Sequence, residues 1–254
     1  MRATLTLIRR ELTAYFLSPI AYVVLVVFLL VTGGLFFGRA TALTEHGPRG
    51  MEFPMQIILG HWIFWVIFLL IPPVLTMRLF AEERSSGTLE MLLTAPLKDW
   101  QVVAAKFIAC FAFYLILWLP TLLYLPVLLD FNWKTFHFEI DPRPALTSYI
   151  GLAFAGAMFL SIGMFVSSLV RSQIVAALVA ILFNLTFMLG GFLRPEMDTA
   201  SWGYKLLYFF SVPLHFYLDF TRGLIDSRHL ILYCSVALFS LFLTVRSLES
   251  RQWR

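Results

Sequence analysis

The sequence predicts an all-α polytopic membrane protein with six transmembrane helices. Sixty per cent of its 254 residues are hydrophobic and 13% are charged, whereas a soluble domain usually carries about 25% charged residues. The charges leave six long uncharged windows, at 12–38, 53–77, 107–129, 144–170, 172–193 and 229–245. Backbone amides inside lipid must be paired, so windows of this length are expected to be helices. These observations exclude an ordinary soluble protein and a disordered one, and two cysteines exclude a disulfide scaffold.

The predicted spanning helices lie at about 20–38, 57–77, 104–129, 147–170, 173–193 and 228–245. A helix rises about 1.5 Å per residue, so about 20 apolar residues cross a core of roughly 30 Å. Five windows are long enough. The sixth, with 17 uncharged residues, reaches spanning length if it begins at Arg228 and that side chain snorkels to the interface. The sequence shows no linker, repeat or low-complexity tract, which indicates one domain over 1–254.

The N-terminal segment 1–18 has the pattern of an amphipathic helix. Leu5, Ile8 and Leu12 recur at helical spacing on one face, and the basic residues lie off that face. Pro19 interrupts the helix before the first span. We therefore expect a helix that lies in the membrane interface, followed by a turn into the bilayer.

The distribution of lysine and arginine predicts the side of the membrane on which each loop lies. An even number of spans places both termini on the same side. The segments on that side hold 11 of the 19 basic residues, and the segments on the other side hold 8. Because positive charge favours the cytoplasmic side, both termini are predicted to be cytoplasmic.

A seventh apolar run, 206–218, lies between the last two predicted spans. It has 13 residues and contains Pro213, so it is too short to cross the membrane. One interpretation of 202–226 is an extracytoplasmic hairpin that re-enters the bilayer before the last span. An amphipathic loop that rests on the membrane surface explains the same pattern equally well.

The loop 78–100 combines charge with strong helix signals. The string 82–84, Glu-Glu-Arg, cannot lie in lipid, so the second helix is expected to project into water there. The string 85–87, Ser-Ser-Gly, breaks this helix, Thr88 is a good N-cap for a new one, and Pro96 ends it. The leucines of the new helix share one face. A short helix of this kind either lies on lipid or docks in a groove of another protein.

The string EERSSGTLEMLLTAP at 82–96 resembles the E-x-x-x-G-T-x-E-x-L-L-x-x-P signature of ABC-2-type permeases. In that family this region lies between the second and third spans and contacts the ATPase, so we name 78–100 the coupling segment and its short helix the coupling helix. The predicted ATPase-coupling residues are Glu82, Glu83, Arg84, Gly87, Thr88, Leu89, Glu90, Leu92, Leu93 and Pro96. The resemblance covers the whole chain, and the stretches 211–216, 222–226 and 243–251 resemble the gliding-motility-type branch.

The resemblance implies a permease subunit of an ATP-driven transporter in the inner membrane of a bacterium. Two permease copies, or two related permeases, pair in this family, and each contacts one P-loop ATPase subunit. ATPase closure then pushes on the coupling helix, and the dimer exports a substrate or extracts one from the bilayer. The chain lacks G-x-x-x-x-G-K-[ST], so it is expected to be non-catalytic and to bind no cofactor, with ATP and Mg²⁺ held by the partner.

A second class of function remains open. The complex could use ATP to transmit force to an accessory extracytoplasmic subunit, with nothing transported. A polar lumen at the dimer interface would favour transport, and a sealed interface with an outer partner would favour force transmission. An intramembrane enzyme is not supported, because neither H-E-x-x-H nor G-x-S-x-G occurs, and nucleic acid is not an expected partner.

Several polar, charged or small residues lie inside the predicted spans. Asn184 either lines a translocation path or forms interhelical hydrogen bonds. The glycines at 151, 156 and 163 give the fourth span a small-residue face, which favours close helix packing. Lys106 lies near the cytoplasmic end of the third span, where its side chain is expected to snorkel into water.

Four histidines lie towards the predicted outer side, at positions 61, 137, 215 and 229. No two of them have i, i+4 spacing, and no cysteine lies beside them in a metal-binding pattern. The sequence therefore predicts no metal site there.

Overall fold

In the residues that it describes, the computed structural model has helices as its regular elements, apart from one pair of two-residue strands. It describes residues 2–46, 55, 59–87, 98–128, 131–132, 137–138, 141–189 and 202–250. Four helical stretches are long and apolar enough to cross a membrane, namely Pro19–Gly38, Asp99–Tyr124, Arg143–Leu169 and Ser227–Glu249. Two shorter apolar helices, Trp62–Thr76 and Gln173–Thr186, lie in the second and fifth uncharged windows. The prediction of an all-α membrane protein is confirmed at this level.

The first half of the chain contributes six helices to the described part of the structure. They are α1 (Arg2–Leu17), α2 (Pro19–His46), α3 (Trp62–Thr76), α4 (Ala81–Ser85), α5 (Asp99–Trp118) and α6 (Leu125–Leu128). A 3-10 helix, Leu119–Tyr124, joins α5 to α6. Pro120 stands at its start, where the ring removes a backbone donor and tightens the turn.

The second half begins with the antiparallel strand pair β1 (Phe131–Asn132) and β2 (His137–Phe138), in which Phe131 pairs with Phe138. The helices that follow are α7 (Arg143–Leu169), α8 (Gln173–Thr186), α9 (Trp202–Phe210), α10 (Val212–Leu218) and α11 (Ser227–Glu249). A 3-10 helix, Phe220–Arg222, follows α10.

Helix α7 is the centre of the bundle, where α11, α8, α3 and α5 pack against it. Its glycines allow this approach, because a side chain at any of them would meet a neighbouring helix. A Cβ atom added at Gly151, Gly156 or Gly163 would lie 2.9, 2.3 or 2.1 Å from Phe216, Tyr114 or Thr76, respectively. Real Cβ contacts are longer than 3.0 Å, so the predicted small-residue packing face is confirmed.

Helix α3 is shorter than the predicted span 57–77. It begins at Trp62 because His61 caps it, with Nδ1 accepting a hydrogen bond from the backbone amide of Ile63 at 3.3 Å. The cap satisfies a free backbone donor of the first turn. An uncharged window shows where a helix can lie, but it does not show at which residue the helix starts.

The hairpin before α11 consists of an exposed helix, α9, and a buried one, α10. Phe216 of α10 is 0% exposed, and its ring centroid lies 5.2 Å from that of Trp65 in α3. Thr147 of α7 donates a hydrogen bond of 2.5 Å to the Phe220 carbonyl. Gly151 lies about 12 Å along α7 from its start, so α10 lies inside this end of the bundle. We name this the hairpin end. Here α10 packs among the other helices, whereas α9 is exposed.

Candidate functional site

The coupling segment leaves the opposite end of the bundle, where α1, α4, α5 and the end of α7 meet. Helix α3 ends at Thr76, and residues 77–80 turn into α4. Gly87 follows α4 with a φ of 73°, a left-handed conformation that costs glycine little and stops the helix. The structure thus places Glu82, Glu83, Arg84 and Gly87 at this end. The remaining predicted coupling residues, Thr88, Leu89, Glu90, Leu92, Leu93 and Pro96, lie outside the described residues.

Lys106 of α5 lies at the centre of what we name the charged junction, the set Glu11, Arg78, Glu82, Glu83, Arg84 and Lys106. Its Nζ lies 2.7 Å from Glu83 Oε1 and 3.2 Å from Glu11 Oε2. The Lys106 side chain is only 2% exposed, so it does not snorkel into water, and that expectation is wrong. A buried ammonium group needs such partners because its desolvation is costly.

The Lys106 ammonium group also contacts an aromatic ring, and one of its two acidic partners pairs with a second cation. It lies 5.5 Å from the ring centroid of Phe80, within cation–π range. Glu11 also pairs with Arg10, whose Nη2 lies 2.7 Å from Glu11 Oε1. Two basic and two acidic groups thus form a balanced chain that joins α1, α4 and α5.

Arg78 connects the end of α3 with the break between α1 and α2. Its Nε lies 3.0 Å from Glu82 Oε2, and its Nη1 donates to Ser18 Oγ at 2.6 Å. The hydroxyl of Tyr15 donates to the Leu75 carbonyl at 2.8 Å. The Arg78–Glu82 pair is partly exposed, and such pairs add only about 0.2–1 kcal/mol, so its main effect is to fix positions.

Helix α4 is also attached to the end of α7. Ser167 Oγ of α7 accepts hydrogen bonds from the backbone amides of Phe80 at 3.2 Å and Ala81 at 3.1 Å, which caps the start of α4 from another helix. Arg84 donates to the Leu169 carbonyl. Partial burial, and then the positive charge of Arg171, lower the pKa of Arg84. Helix α4 is therefore held by Lys106 of α5 on one side and by α7 on the other.

An open cleft of about 450 Å³ lies between α1, α4 and α5. Its walls carry Arg10, Arg78, Lys106, Glu11, Glu82 and Glu83. These formal charges cancel, so the cleft suits a polar segment of another chain better than an apolar one. Within the described ranges, no group of three or more histidine, cysteine, aspartate or glutamate side chains is placed to hold a metal ion.

From the sequence, we identified the charged string 82–84 of the junction. We did not identify Glu11 or Ser167, and we did not predict that Lys106 connects two helices. Glu11 is the only acid in the basic segment 1–18, and Lys106 lies one residue before an uncharged window. An isolated acid and an isolated base near the same predicted end of the bundle were the available signal. Ser167 gives no comparable signal, because serine is common in helices that pack closely.

Asn184 lies in α8 and is 0% exposed. Neither its Oδ1 nor its Nδ2 has a hydrogen-bond partner among the described residues. The predicted interhelical hydrogen bond is thus not formed within the described part of this chain. A fully buried side chain also does not face an open path in this conformation.

The central part of the chain matches a known protein family. The family model described as "ABC-2 family transporter protein" matches residues 52–225, a stretch that runs from before α3 to just beyond the hairpin helices. No curated protein sequence matches the chain. The matched stretch exceeds half of the 254 residues and contains the coupling segment. Membership implies a multi-pass membrane permease that works with an ATPase partner. The chain belongs to the ABC-2 family of transporter proteins.

Proposed function

We propose that the chain is the membrane-spanning subunit that couples ATP hydrolysis by a separate ATPase to the export, or the extraction from the bilayer, of a substrate. In this proposal it has six spans and both termini on the cytoplasmic side of a bacterial inner membrane. Two permease units and two ATPase subunits form the complex, and ATP and Mg²⁺ belong to the ATPase. The stretches 211–216 and 222–226 support a place in the gliding-motility-type branch.

The observation that carries the proposal is the contact of one buried lysine with two helices. Lys106 bridges Glu83, which lies at the start of the coupling segment, and Glu11, which lies in α1. Breaking a buried ion pair on one side costs about 3–5 kcal/mol. A push on the coupling segment is therefore expected to move α1, α4 and α5 together instead of separating them.

The contacts of α4 with α7 extend this path to the centre of the bundle. Ser167 holds the turn before α4 through Phe80 and Ala81, and α7 packs against α3, α5, α8 and α11. A displacement of α4 by an ATPase thus has a short route to most helices of the bundle. Interfaces of this kind convert small local shifts into rigid-body motion because packed helices resist continuous deformation.

The test is the purification of the tagged chain from its native membrane in mild detergent, with every stoichiometric partner identified by mass spectrometry. We expect a P-loop ATPase to co-purify with the wild-type chain and to be lost, or to lose coupled activity, in Glu90→Lys. Glu249→Lys is the matched control, because it reverses an acidic charge that is predicted to lie on the same side but outside the coupling segment. It is expected to keep the ATPase.

Three outcomes would change the proposal. Recovery of the chain alone under several mild conditions would contradict it. An ATPase together with an outer partner, and no substrate movement in proteoliposomes, would replace transport by force transmission. A tag at residue 254 that is accessible from outside intact cells would overturn the proposed orientation.

A further inference from the structure

Two histidines from different helices stack face to face at the hairpin end. The ring centroids of His215 in α10 and His229 in α11 lie 3.7 Å apart, with 19° between the ring planes. Both residues are buried, at 0% and 2% exposure. Tyr208 of α9, Asp219 after α10 and Tyr233 of α11 surround them, and we name these five residues the histidine cluster.

The hydrogen bonds of His215 fit a neutral ring. Its Nε2 lies 2.7 Å from the Tyr208 carbonyl oxygen, which can only accept, so Nε2 carries the hydrogen. Its Nδ1 lies 2.8 Å from the Tyr233 hydroxyl and accepts from it in the neutral state. Both ring nitrogens are thus satisfied without a positive charge.

His229 is held through one ring nitrogen only. Its Nε2 lies 2.9 Å from Asp219 Oδ2, and the Tyr208 hydroxyl donates to the same carboxylate oxygen at 2.6 Å. Nε2 therefore carries the hydrogen. Nδ1 is buried and has no hydrogen-bond partner among the residues that the structure describes.

We propose that the histidine cluster is an acid-sensitive latch, which holds α10 inside the bundle while His215 is neutral and releases it when His215 is protonated. Protonation of His215 would remove the acceptor of the Tyr233 hydroxyl and bury a positive charge against the face of the His229 ring, 3.7 Å away. This cost is relieved when α10 moves away from α11 and water enters.

The sign of the pH dependence follows from the burial of His215. Burial first, and then the neighbouring His229 ring, lower the pKa of His215 from 6.5 to about 3. A histidine whose pKa is lower in the closed state stabilises that state fully above pH 6.5, and the contribution is lost as the pH falls towards 3. Acid therefore favours release.

Other groups around the rings do not reverse this sign. The carboxylates of Asp219 and Asp226 raise the pKa of His215, but less than burial lowers it. The hydroxyl of Tyr208 remains neutral, since burial and then Asp219 raise its pKa. Thr147 of α7 and Trp65 of α3 contact Phe220 and Phe216 in the same hairpin, and neither side chain titrates.

Release would open the hairpin end of the bundle. Phe216 of α10 fills the space beside Gly151 and Trp65, and Tyr208 attaches α9 to the same cluster through its hydroxyl and its carbonyl. Loss of the stack thus frees both hairpin helices. The latch does not depend on ATP, so its test is separate from that of the proposed function.

The test is hydrogen–deuterium exchange of the full chain in lipid nanodiscs, without nucleotide, at pH 7.5 and pH 5.0, corrected for intrinsic exchange rates. A pKa of 6.5 when open and about 3 when closed gives up to about a 30-fold shift towards the open state at pH 5.0. We expect the amides of 212–223 to lose protection by up to about 30-fold at pH 5.0 and to regain it when the pH is returned to 7.5. Amides in 152–166 of α7 are expected to change little.

Variants assign the effect to the two rings. In His215→Gln/His229→Gln, residues 212–223 are expected to have the same protection at both pH values. His61→Gln is the matched control, because His61 lies at the same end but outside the cluster, and it should keep the response. Equal protection of the wild type at both pH values would overturn the latch, whether or not the double variant folds. A response that persists in the double variant, or that disappears in His61→Gln, would also overturn it.

Discussion

Glu83 and Lys106 form the shorter of the two ion pairs of the buried lysine, with 2.7 Å between Oε1 and Nζ. Glu83 belongs to the coupling segment, and Lys106 belongs to a helix long enough to span the membrane. One contact therefore joins the segment that is expected to receive the push to a helix that is expected to move. Because the lysine is 2% exposed, its ammonium group depends on these carboxylates for its stability.

Lys106→Met tests this contact. Methionine keeps an unbranched apolar stem but removes the cation that Glu83 and Glu11 share, although Glu11 keeps its pair with Arg10. We expect the free energy of unfolding to fall by about 3–5 kcal/mol, seen as a lower thermal midpoint in detergent. The combination Lys106→Met/Glu11→Gln/Glu83→Gln should recover most of this loss. A single variant as stable as the wild type would show that the buried pairs do not form.

Ser167→Ala tests the cap that α7 provides to α4. Loss of the hydroxyl leaves the backbone amides of Phe80 and Ala81 without this acceptor, at a cost of about 1–3 kcal/mol for a buried donor. We expect faster hydrogen exchange over 80–87. Ser161→Ala is the matched control, because Ser161 is equally buried and its hydroxyl bonds within α7 to Met158. Similar exchange over 80–87 in both variants would contradict the cap.

The parts of the fold that the sequence predicted are those set by local composition. Segment 1–18 is helical up to Leu17 because its apolar spacing and Pro19 act locally. Each uncharged window contains a helix because lipid-compatible segments leave the backbone few alternatives. The acidic string 82–84 was placed at the candidate site because charge excludes it from lipid.

The parts that the sequence missed depend on contacts between distant residues. Lys106 and Glu11 are 95 residues apart, and nothing in the local pattern of either residue pairs them. His215 and His229 stack because the turn after α10 brings α11 alongside, not because they share a helix face. A search for i, i+4 spacing detects only pairs on one helix, so it could not find this cluster.

Gly156→Ala tests the packing of α7 against α5. The new Cβ would lie 2.3 Å from Tyr114 Cζ, and the Tyr114 hydroxyl is held by the Leu152 carbonyl at 2.9 Å, so the ring cannot move away freely. Overpacking of this kind costs about 1–3 kcal/mol. Gly34→Ala is the matched control, since no atom lies within 4 Å of its added Cβ. Equal thermal midpoints for the two variants would contradict the close approach.

Asn184→Leu distinguishes a burial cost from a functional role. The side chain is 0% exposed and makes no hydrogen bond within the described residues, and an unsatisfied buried amide costs about 1–3 kcal/mol. Leucine has a similar size and no polar atoms, so we expect a higher thermal midpoint for the isolated chain. If transport then fails in the assembled complex, the amide acts in another conformation or contacts a second permease copy. A lower midpoint would instead show that Asn184 has a stabilising partner outside the described residues, and the burial cost would be wrong.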